Sequence, residues 1–397
     1  MDAVDEDIVR TLLSRGLTAE QISLELTKLY PNQKGLSKRS VERYLAIHGI
    51  RRTNCLTSEA VDHTVSNAVS AIGRQAGRRY VKGYIDATGG PTISEGRIGS
   101  SLKRVDPTSH EVSRSVNSQP YSATYFGEKL HMDQNEKLIR YGVTVVAAMD
   151  GFSGLITKSS TMSHKNNIVI YQEVLKPTIE EFGLFDQVVT DHGKEFSLCI
   201  AVQNSLRNLR ANQAKVAFKQ IPSTKNNRIE RFWVEFNGRI AYPVKQALVQ
   251  MEDQGDLDLS DQVQVFCCSA AVQSIVRVGL QRLILSRNYH HVTGRGRPID
   301  LSQDNRTAKI SLDSIPTVDD AVAQYRLAGG TLSDPTIVGL DPLNGNPLET
   351  QLRLDRIAAA GYDPGHIYGD VANLNYLNLQ NYVKTFISVT NEIAAGL

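Results

Sequence analysis

Apolar positions recur at helical spacing in three short runs across the first 53 residues. In DEDIVRTLLSRG, which begins at Asp5, the residues Ile8, Val9, Leu12 and Leu13 fall on one stripe. Thr18 opens the second run as a predicted N-cap, with Gln21 at the capping-box position and Ile22 and Leu26 facing inward. The turn YPNQKG (30–35) follows. Ser37 then caps a third run in which Val41, Leu45 and Ile47 are apolar, Gly49 closes the helix, and Lys38, Arg39 and Arg43 lie near its start. Three short helices with a basic start on the last fit a helix-turn-helix, whose last helix enters the major groove of DNA. The same pattern also describes a three-helix bundle with a solvated basic face.

Residues 57–106 repeat the theme. A long amphipathic segment, TSEAVDHTVSNAVSAIGRQAG, leads into RRYVKGYIDATGG. After Pro91, Ser94 is the predicted N-cap of a helix that ends at Asp106-Pro107 and carries Arg97, Lys103 and Arg104. This is either a second helix-turn-helix or a helical spacer. PTSHEVSRSVNSQP (107–120) is polar throughout and reads as a linker.

From residue 124 the pattern changes to strands: TYFGEKLHMDQN, then GVTVVAAMD (142–150), a turn at Gly151–Ser153, and GLITKSSTM. The helix NNIVIYQEVLKPTIEEFG is expected to kink or split at Pro177. Strand QVVTD, helix SLCIAVQNSLRNLRAN, strand KVAFKQI and the long helix STKNNRIERFWVEFNGRIAYPVKQALVQ complete the segment. Three consecutive strands followed by alternating helix and strand predict an α/β fold, a mixed sheet flanked by helices. An apolar helix spans 262–288, followed by the basic stretch NYHHVTGRGRPIDL (288–301). The remaining residues are rich in Asp, Gly and Pro. Two helical pieces stand out there, VDDAVAQYRLAGG and NLQNYVKTFISVTNEIAAG. That tail is either ordered packing or a partner-binding extension.

A chain of 397 residues allows two to four domains, and 41% hydrophobic with 22% charged residues suffices for a sizeable core. No run approaches the roughly 18 apolar residues of a membrane span. The start, MDAVDEDIVR, is acidic and lacks the apolar stretch of a secretory signal. No membrane partner is expected. Cys55, Cys199, Cys267 and Cys268 form no CxxC pair, so they read as reduced thiols of an intracellular protein and not as a zinc site. The net charge of +2 hides an asymmetry. Residues 1–120 carry 17 Lys/Arg against 13 Asp/Glu, residues 121–250 carry 16 against 12, and residues 251–397 carry 11 against 17. The first two-thirds is basic, as suits a phosphate backbone, and the last third is acidic.

Three acids change the picture. Asp133 ends the strand-like run LHMDQN, Asp191 ends QVVTDHG, and Glu230 lies in the helix-like run NNRIERFWVEF. Carboxylates at two strand ends and on a later helix can converge on two divalent cations, Mg²⁺ or Mn²⁺, about 4 Å apart, which activate the attacking oxygen and stabilise the leaving one at a phosphodiester. Asp150 reads instead as the cap of the Asp-Gly turn. Glu195 reads as the start of the next helix, and His192 should point away from Asp191. Lys225, Arg228 and Arg231 surround Glu230; they either hold DNA phosphates or form a solvated face with an ion pair to Glu230 or Glu235. Trp233, Phe236, Ile229 and Ile240 read as core.

The order of these elements resembles the RNase H-like fold of retroviral integrases and DDE transposases. LHMDQNEKLIRYGVTVVAAMDGFSG resembles the first block of integrase core domains, VVTDHGKEF the second ("SDxGxEF") and PSTKNNRIERFW the third, with 38 residues between Asp191 and Glu230. The chain is especially similar to integrase-core proteins of eukaryotic genomes, in which "HxDxxxKL" and "NxRIERxW" recur. The zinc-binding N-terminus of the retroviral proteins is absent. The resemblance implies an RNase H-like catalytic core at 121–298 and extends more weakly to a helix-turn-helix DNA-binding domain at 1–53 and a second helical region and linker at 54–120; the acidic extension at 299–397 has no counterpart in it. It implies a polynucleotidyl transferase that processes 3′ ends and transfers strands, with Asp133, Asp191 and Glu230 holding two Mg²⁺. DNA ends and target DNA would be its partners, a homo-oligomer on DNA its working form, and the nucleus its place in a eukaryotic host. A DNA-binding protein that keeps the fold without turnover, and a metal-dependent nuclease, remain alternatives.

Overall fold

The computed structural model describes residues 4–14, 17–31, 33–50, 56–106, 122–222, 226–332 and 338–396; Cys55, Lys225 and the linker expected at 107–120 lie outside these. The chain begins with α1 (Glu6–Ser14), α2 (Ala19–Leu29) and α3 (Lys38–Ile47). Thr18 makes the expected capping box: its hydroxyl accepts from the Gln21 N–H, and the Gln21 side chain accepts from the Thr18 N–H. Val9, Leu12, Leu13, Ile22, Leu26 and Val41 close a small core. Ile47 departs from expectation and is 73% exposed, while Tyr44 is buried. At 3.6 residues per turn, Tyr44 shares the face of Val41, whereas six positions carry Ile47 to the far side.

The second helical unit comprises α4 (Ser58–Ile72), α5 (Arg78–Ala87) and α6 (Glu95–Val105), with Thr57 and Ser94 as side-chain caps. Its core includes Val61, Val65, Val81, Ile85 and Ile98. On α6, Arg97 donates to the Leu56 carbonyl and Arg104 pairs with Asp62 at 2.7 Å, so two of its three cations are engaged within the unit.

The sheet contains β1 (Leu130–Leu138), β2 (Val143–Asp150), β3 (Ile156–Met162), β4 (Val188–Thr190) and β5 (Phe218–Gln220), in the order β3-β2-β1-β4-β5. β1 to β3 are antiparallel neighbours, and β4 and β5 run parallel to β1. This is the RNase H-like mixed sheet expected from the sequence. Residues 124–129 fall outside the first strand, apart from an isolated bridge at Phe126.

Period-two alternation sorts the sheet onto two cores. Val143, Val145, Ala147 and Met149 of β2 pack with the later helices, while Val146 and Ala148 point the other way, with Leu130 and Met132 of β1. The second face is covered by α7 (Asn167–Ile170), α8 (Lys176–Phe182) and α9 (Ser197–Ser205). Pro177 does interrupt its helix. Proline has no N–H and crowds the carbonyl four residues back, and the chain accommodates it with a π-helical turn over Tyr171–Leu175. The same device recurs on the other face. There α10 (Asn227–Phe236) passes through a π-helical turn, Asn237–Ala241, into α11 (Tyr242–Asp253), with Pro243 beside the junction.

Then comes α12 (Gln262–Tyr289), which corrects one expectation. By length and composition it is apolar enough to cross a membrane, yet half of its most apolar stretch is buried inside the protein. A helix with so many apolar positions suits a place in the core. Cys267, Cys268, Ile275 and Leu280 of α12 lie in the larger core, and Cys199 lies in the core of the opposite face. The second helical unit docks on α12 at α5: a Cβ on Gly83 would sit 2.3 Å from the Ser286 carbonyl oxygen. The Ser286 hydroxyl donates to the Tyr80 carbonyl at 2.6 Å.

The tail adds α13 (Pro298–Leu301), α14 (Val318–Leu327), α15 (Pro347–Ala359), α16 (Pro364–Ala372) and α17 (Leu377–Ala394). Of these, the sequence pattern predicts only α14 and α17. Ile367, Tyr368, Val383 and Phe386 of α16 and α17 join the α12 core, and a buried ion pair, Arg353 to Asp341 at 2.7 Å, ties α15 back to the loop before it.

Candidate active site

The alternation that sends Met132 into one core turns its neighbours His131, Asp133 and Asn135 to the other face, toward α10. Asp133 is not at the end of its strand, because pairing with β2 continues to Leu138 opposite Val143. The cleft opens for a different reason. β4 pairs with β1 only at Leu130 and His131, and then stops at Thr190. Beyond that point β1 and β4 part, with Asp133 on one side and Asp191 on the other.

Glu230 enters from α10 and completes the group: Asp133, Asp191 and Glu230 line one cleft of about 410 Å³. Its other lining residues include Glu136, Lys137, Lys165, Glu195, Trp233 and Asn237. Five acids therefore face two lysines, an excess of negative charge that favours cations. Glu195, which the sequence suggests as a helix start, does lie in the short 3-10 turn before α9. It is nevertheless only 7% exposed and sits in the wall of this cleft. Lys165 spans the gap, 2.5 Å from Glu136 and 3.6 Å from Glu195. His192 is exposed and is not part of the lining.

Asp133 is 5% exposed. Its Oδ1 accepts from the Gln134 N–H and its Oδ2 from the Trp233 indole N–H, both at 2.9 Å. Burial pushes its carboxyl up to about 7, with the negative charges of Glu230 and Asp191 adding to the effect and the two hydrogen bonds opposing it. Burial, then the charge of Asp191, also raises the Glu230 carboxyl, against the pull of Lys137. Asp191 is steadied by its own loop, where the Gly193 N–H donates to its Oδ1 at 2.9 Å.

The donor set suits a hard divalent cation: carboxylate oxygens, partly dehydrated and mutually repelling, so that a cation relieves the strain among them. Among the described residues, no three His, Cys, Asp or Glu side chains close into a ready-made metal cage. An ion held here would therefore lean on water or substrate oxygens for the rest of its shell, as Mg²⁺ commonly does.

The remaining residues named from sequence are distributed as follows. Asp150 is fully buried and caps its turn, accepting from the Ser153 N–H and hydroxyl and from the Gly127 N–H. Arg228 turns away from the cleft and donates to the Phe152 carbonyl at 3.0 Å, beside that same turn. Arg231 is exposed on α10, and Glu235 pairs with Arg239 at 2.9 Å instead of with Arg231. Lys38, Arg39 and Arg43 are exposed on α3, well separated in sequence from the acids. Phe236, Ile229 and Ile240 are core as expected. Trp233 is core too, but it also touches Asp133. The sequence does carry a signal for that contact: Asn226, Glu230, Trp233 and Asn237 recur at i, i+4, i+7 and i+11 and so share one helix face.

No curated protein matches the chain. Residues 121–303 match the family model described as an integrase core domain. That span holds the five strands of the sheet together with Asp133, Asp191 and Glu230. With a mixed RNase H-like sheet, two acids beside its diverging strands and a third on the following helix, residues 121–303 form an integrase core domain, the fold of the retroviral integrase and DDE transposase superfamily.

Proposed function

We propose that the protein is a divalent-metal-dependent polynucleotidyl transferase that processes DNA ends and joins them to target DNA. The observation that carries this reading is the convergence of Asp133, Asp191 and Glu230 on one open, acid-rich cleft within the integrase core. When bound, a pair of Mg²⁺ or Mn²⁺ ions supplies activation of the attacking oxygen and neutralisation of charge at the phosphodiester. Asp133, Asp191 and Glu230 would hold them. The hydrogen bonds from Gln134 and Trp233 orient Asp133, the Gly193 N–H orients Asp191, and α10 presents Glu230 from a well-packed helix. A rigid arrangement of this kind positions the reacting groups, which is most of what phosphoryl transfer asks of a protein.

The exposed cations at the start of α3 and Arg231 on α10 supply phosphate contacts that fix DNA in register. A multimer assembled on the two DNA ends, and a nuclear site of action in a eukaryotic host, follow from that role.

The test is incubation with labelled duplex ends and Mg²⁺. Joined products are expected from the unmodified protein, and Asp191→Asn should abolish them while leaving DNA binding intact. Turnover unaffected by that change removes Asp191 from the site. A DNA-binding protein that keeps the fold without catalysis would show as binding with no products. Cleavage without joining would mark a nuclease.

A further inference from the structure

β1 and the helix that begins with α10 are joined by a ladder of side-chain hydrogen bonds with three rungs. The Nδ1 of His131 meets the Asn226 Oδ1 at 2.7 Å, the Trp233 Nε1 donates to the Asp133 Oδ2 at 2.9 Å, and the Asn135 Nδ2 donates to the Asn237 Oδ1 at 2.9 Å. On the strand the rungs stand at alternate residues, one face of a pleat. On the helix they bracket Glu230. The middle rung ends on a cleft acid.

We propose that Trp233 is a positioning residue for the reaction: its indole N–H holds the Asp133 carboxylate in the orientation from which that carboxylate and its neighbours in the cleft share a divalent cation. This rests on the metal-dependent reading of the site given above. The ring is 4% exposed and has little freedom to turn, because Phe232 and Phe236 lie against it with centroids 5.0 and 5.7 Å away. An indole offers one donor and no acceptor, so its direction is set by its packing. An ionised carboxylate offers about four lone-pair sites. The Gln134 N–H occupies one on Oδ1 and Trp233 one on Oδ2, which leaves lone pairs on both oxygens for the cleft. Groups that orient metal ligands in this way commonly change metal affinity by about 10- to 100-fold when removed.

Trp233 is also the only tryptophan in the chain, so the protein carries its own reporter at the cleft. The experiment uses the full-length, DNA-free protein. Mn²⁺ binding is measured by calorimetry for the unmodified chain and for Trp233→Phe, which keeps an aromatic ring and loses the N–H. In parallel, tryptophan emission of the unmodified chain and of Asp133→Asn is followed as Mg²⁺ is added. The expected result is a Mn²⁺ affinity about 10- to 100-fold weaker in Trp233→Phe, with a circular-dichroism spectrum like that of the parent. Emission of the unmodified chain should change along the Mg²⁺ binding curve, and Asp133→Asn should lose that change. Equal Mn²⁺ affinity in Trp233→Phe overturns the positioning role and leaves the metal-dependent reading standing. No divalent binding by the unmodified chain overturns both. Should Trp233→Phe fail to fold, the unmodified chain decides, since Mg²⁺ binding detected by calorimetry without any change in emission overturns the role.

Discussion

The imidazole of His131 lies buried with its Nδ1 2.7 Å from the side-chain oxygen of Asn226, across the seam between β1 and the start of α10. Asn226 also donates from Nδ2 to the Met132 carbonyl at 3.4 Å, and its own carbonyl accepts from the Glu230 N–H at 3.3 Å. One fully buried residue, through its side-chain amide and its backbone carbonyl, thus connects the strand that carries Asp133 to the helical turn that carries Glu230. Asn226→Ala should lower the unfolding free energy by about 1–3 kcal/mol, the usual cost of stranding a buried polar partner. Urea denaturation of the two proteins checks this. Burial holds the His131 imidazole down to about 4, below its usual 6.5, and the neighbouring Lys129 and Arg228 charges act in the same direction. A depressed histidine adds stability that is present above pH 6.5 and is lost as the pH falls through about 4.

Asp133 has the opposite sign. Its carboxyl is raised from 3.8 to about 7, so its favourable contribution is complete below pH 3.8 and is lost as the pH rises through 7. Without metal, Asp133→Asn should therefore melt higher than the parent at pH 8 and about equally at pH 4. Added Mg²⁺ should raise the melting temperature of the parent at pH 8 and not that of Asp133→Asn. At subsaturating Mg²⁺, DNA-joining activity should fall on the acid side of about pH 7, where a proton competes with the cation for the metal-free Asp133 carboxylate. Thermal melts at the two pH values and a pH–rate profile test both statements.

The start of α3 offers Lys38, Arg39 and Arg43 to solvent, with Ser37 capping the helix that holds them. Replacing all three with alanine should weaken duplex binding and flatten its salt dependence, by about 0.9 in the log–log slope for each phosphate left without its cation. Mn²⁺ affinity at the cleft should stay unchanged. Anisotropy titrations at several salt concentrations give the slope directly, and an unchanged slope removes α3 from the DNA interface.

Gly83 and Gly96 sit in helices of the same unit and should respond oppositely to alanine. At Gly83 a Cβ would meet the Ser286 carbonyl oxygen at 2.3 Å, so Gly83→Ala should force α5 off α12 and cost about 1–3 kcal/mol. At Gly96 nothing lies within 4 Å, and Gly96→Ala should stabilise by about 0.4–1 kcal/mol through the unfolded chain. Melting curves of the two variants should move in opposite directions.

Local rules account for much of what the sequence alone revealed. Thr18 and Ser94 announce helix starts because a hydroxyl before a helical run can take up a free N–H. β1 and β2 are legible from their alternation, and Pro177 marks an interruption because proline lacks a donor. The three acids can be named from their order and spacing alone. α15 and α16 escape notice because Asp, Gly and Pro around them mimic loop composition. Their helicity depends on burying Ile357, Ile367 and Val371 against elements distant in sequence.

Sequence alone therefore determined most of the elements up to α12, their order and the choice of Asp133, Asp191 and Glu230 as candidate acids, since periodicity, capping and spacing are properties of neighbouring residues. Only the tertiary structure decided which side chains meet. It turned Arg228 inward to the Phe152 carbonyl, brought Glu195 into the cleft wall, placed α12 at the centre of the core and set the Trp233 indole against Asp133, 100 positions away. Those outcomes depend on where β1 and β4 part and how α10 packs across β1. These are contacts between distant segments, whose energies no local pattern records.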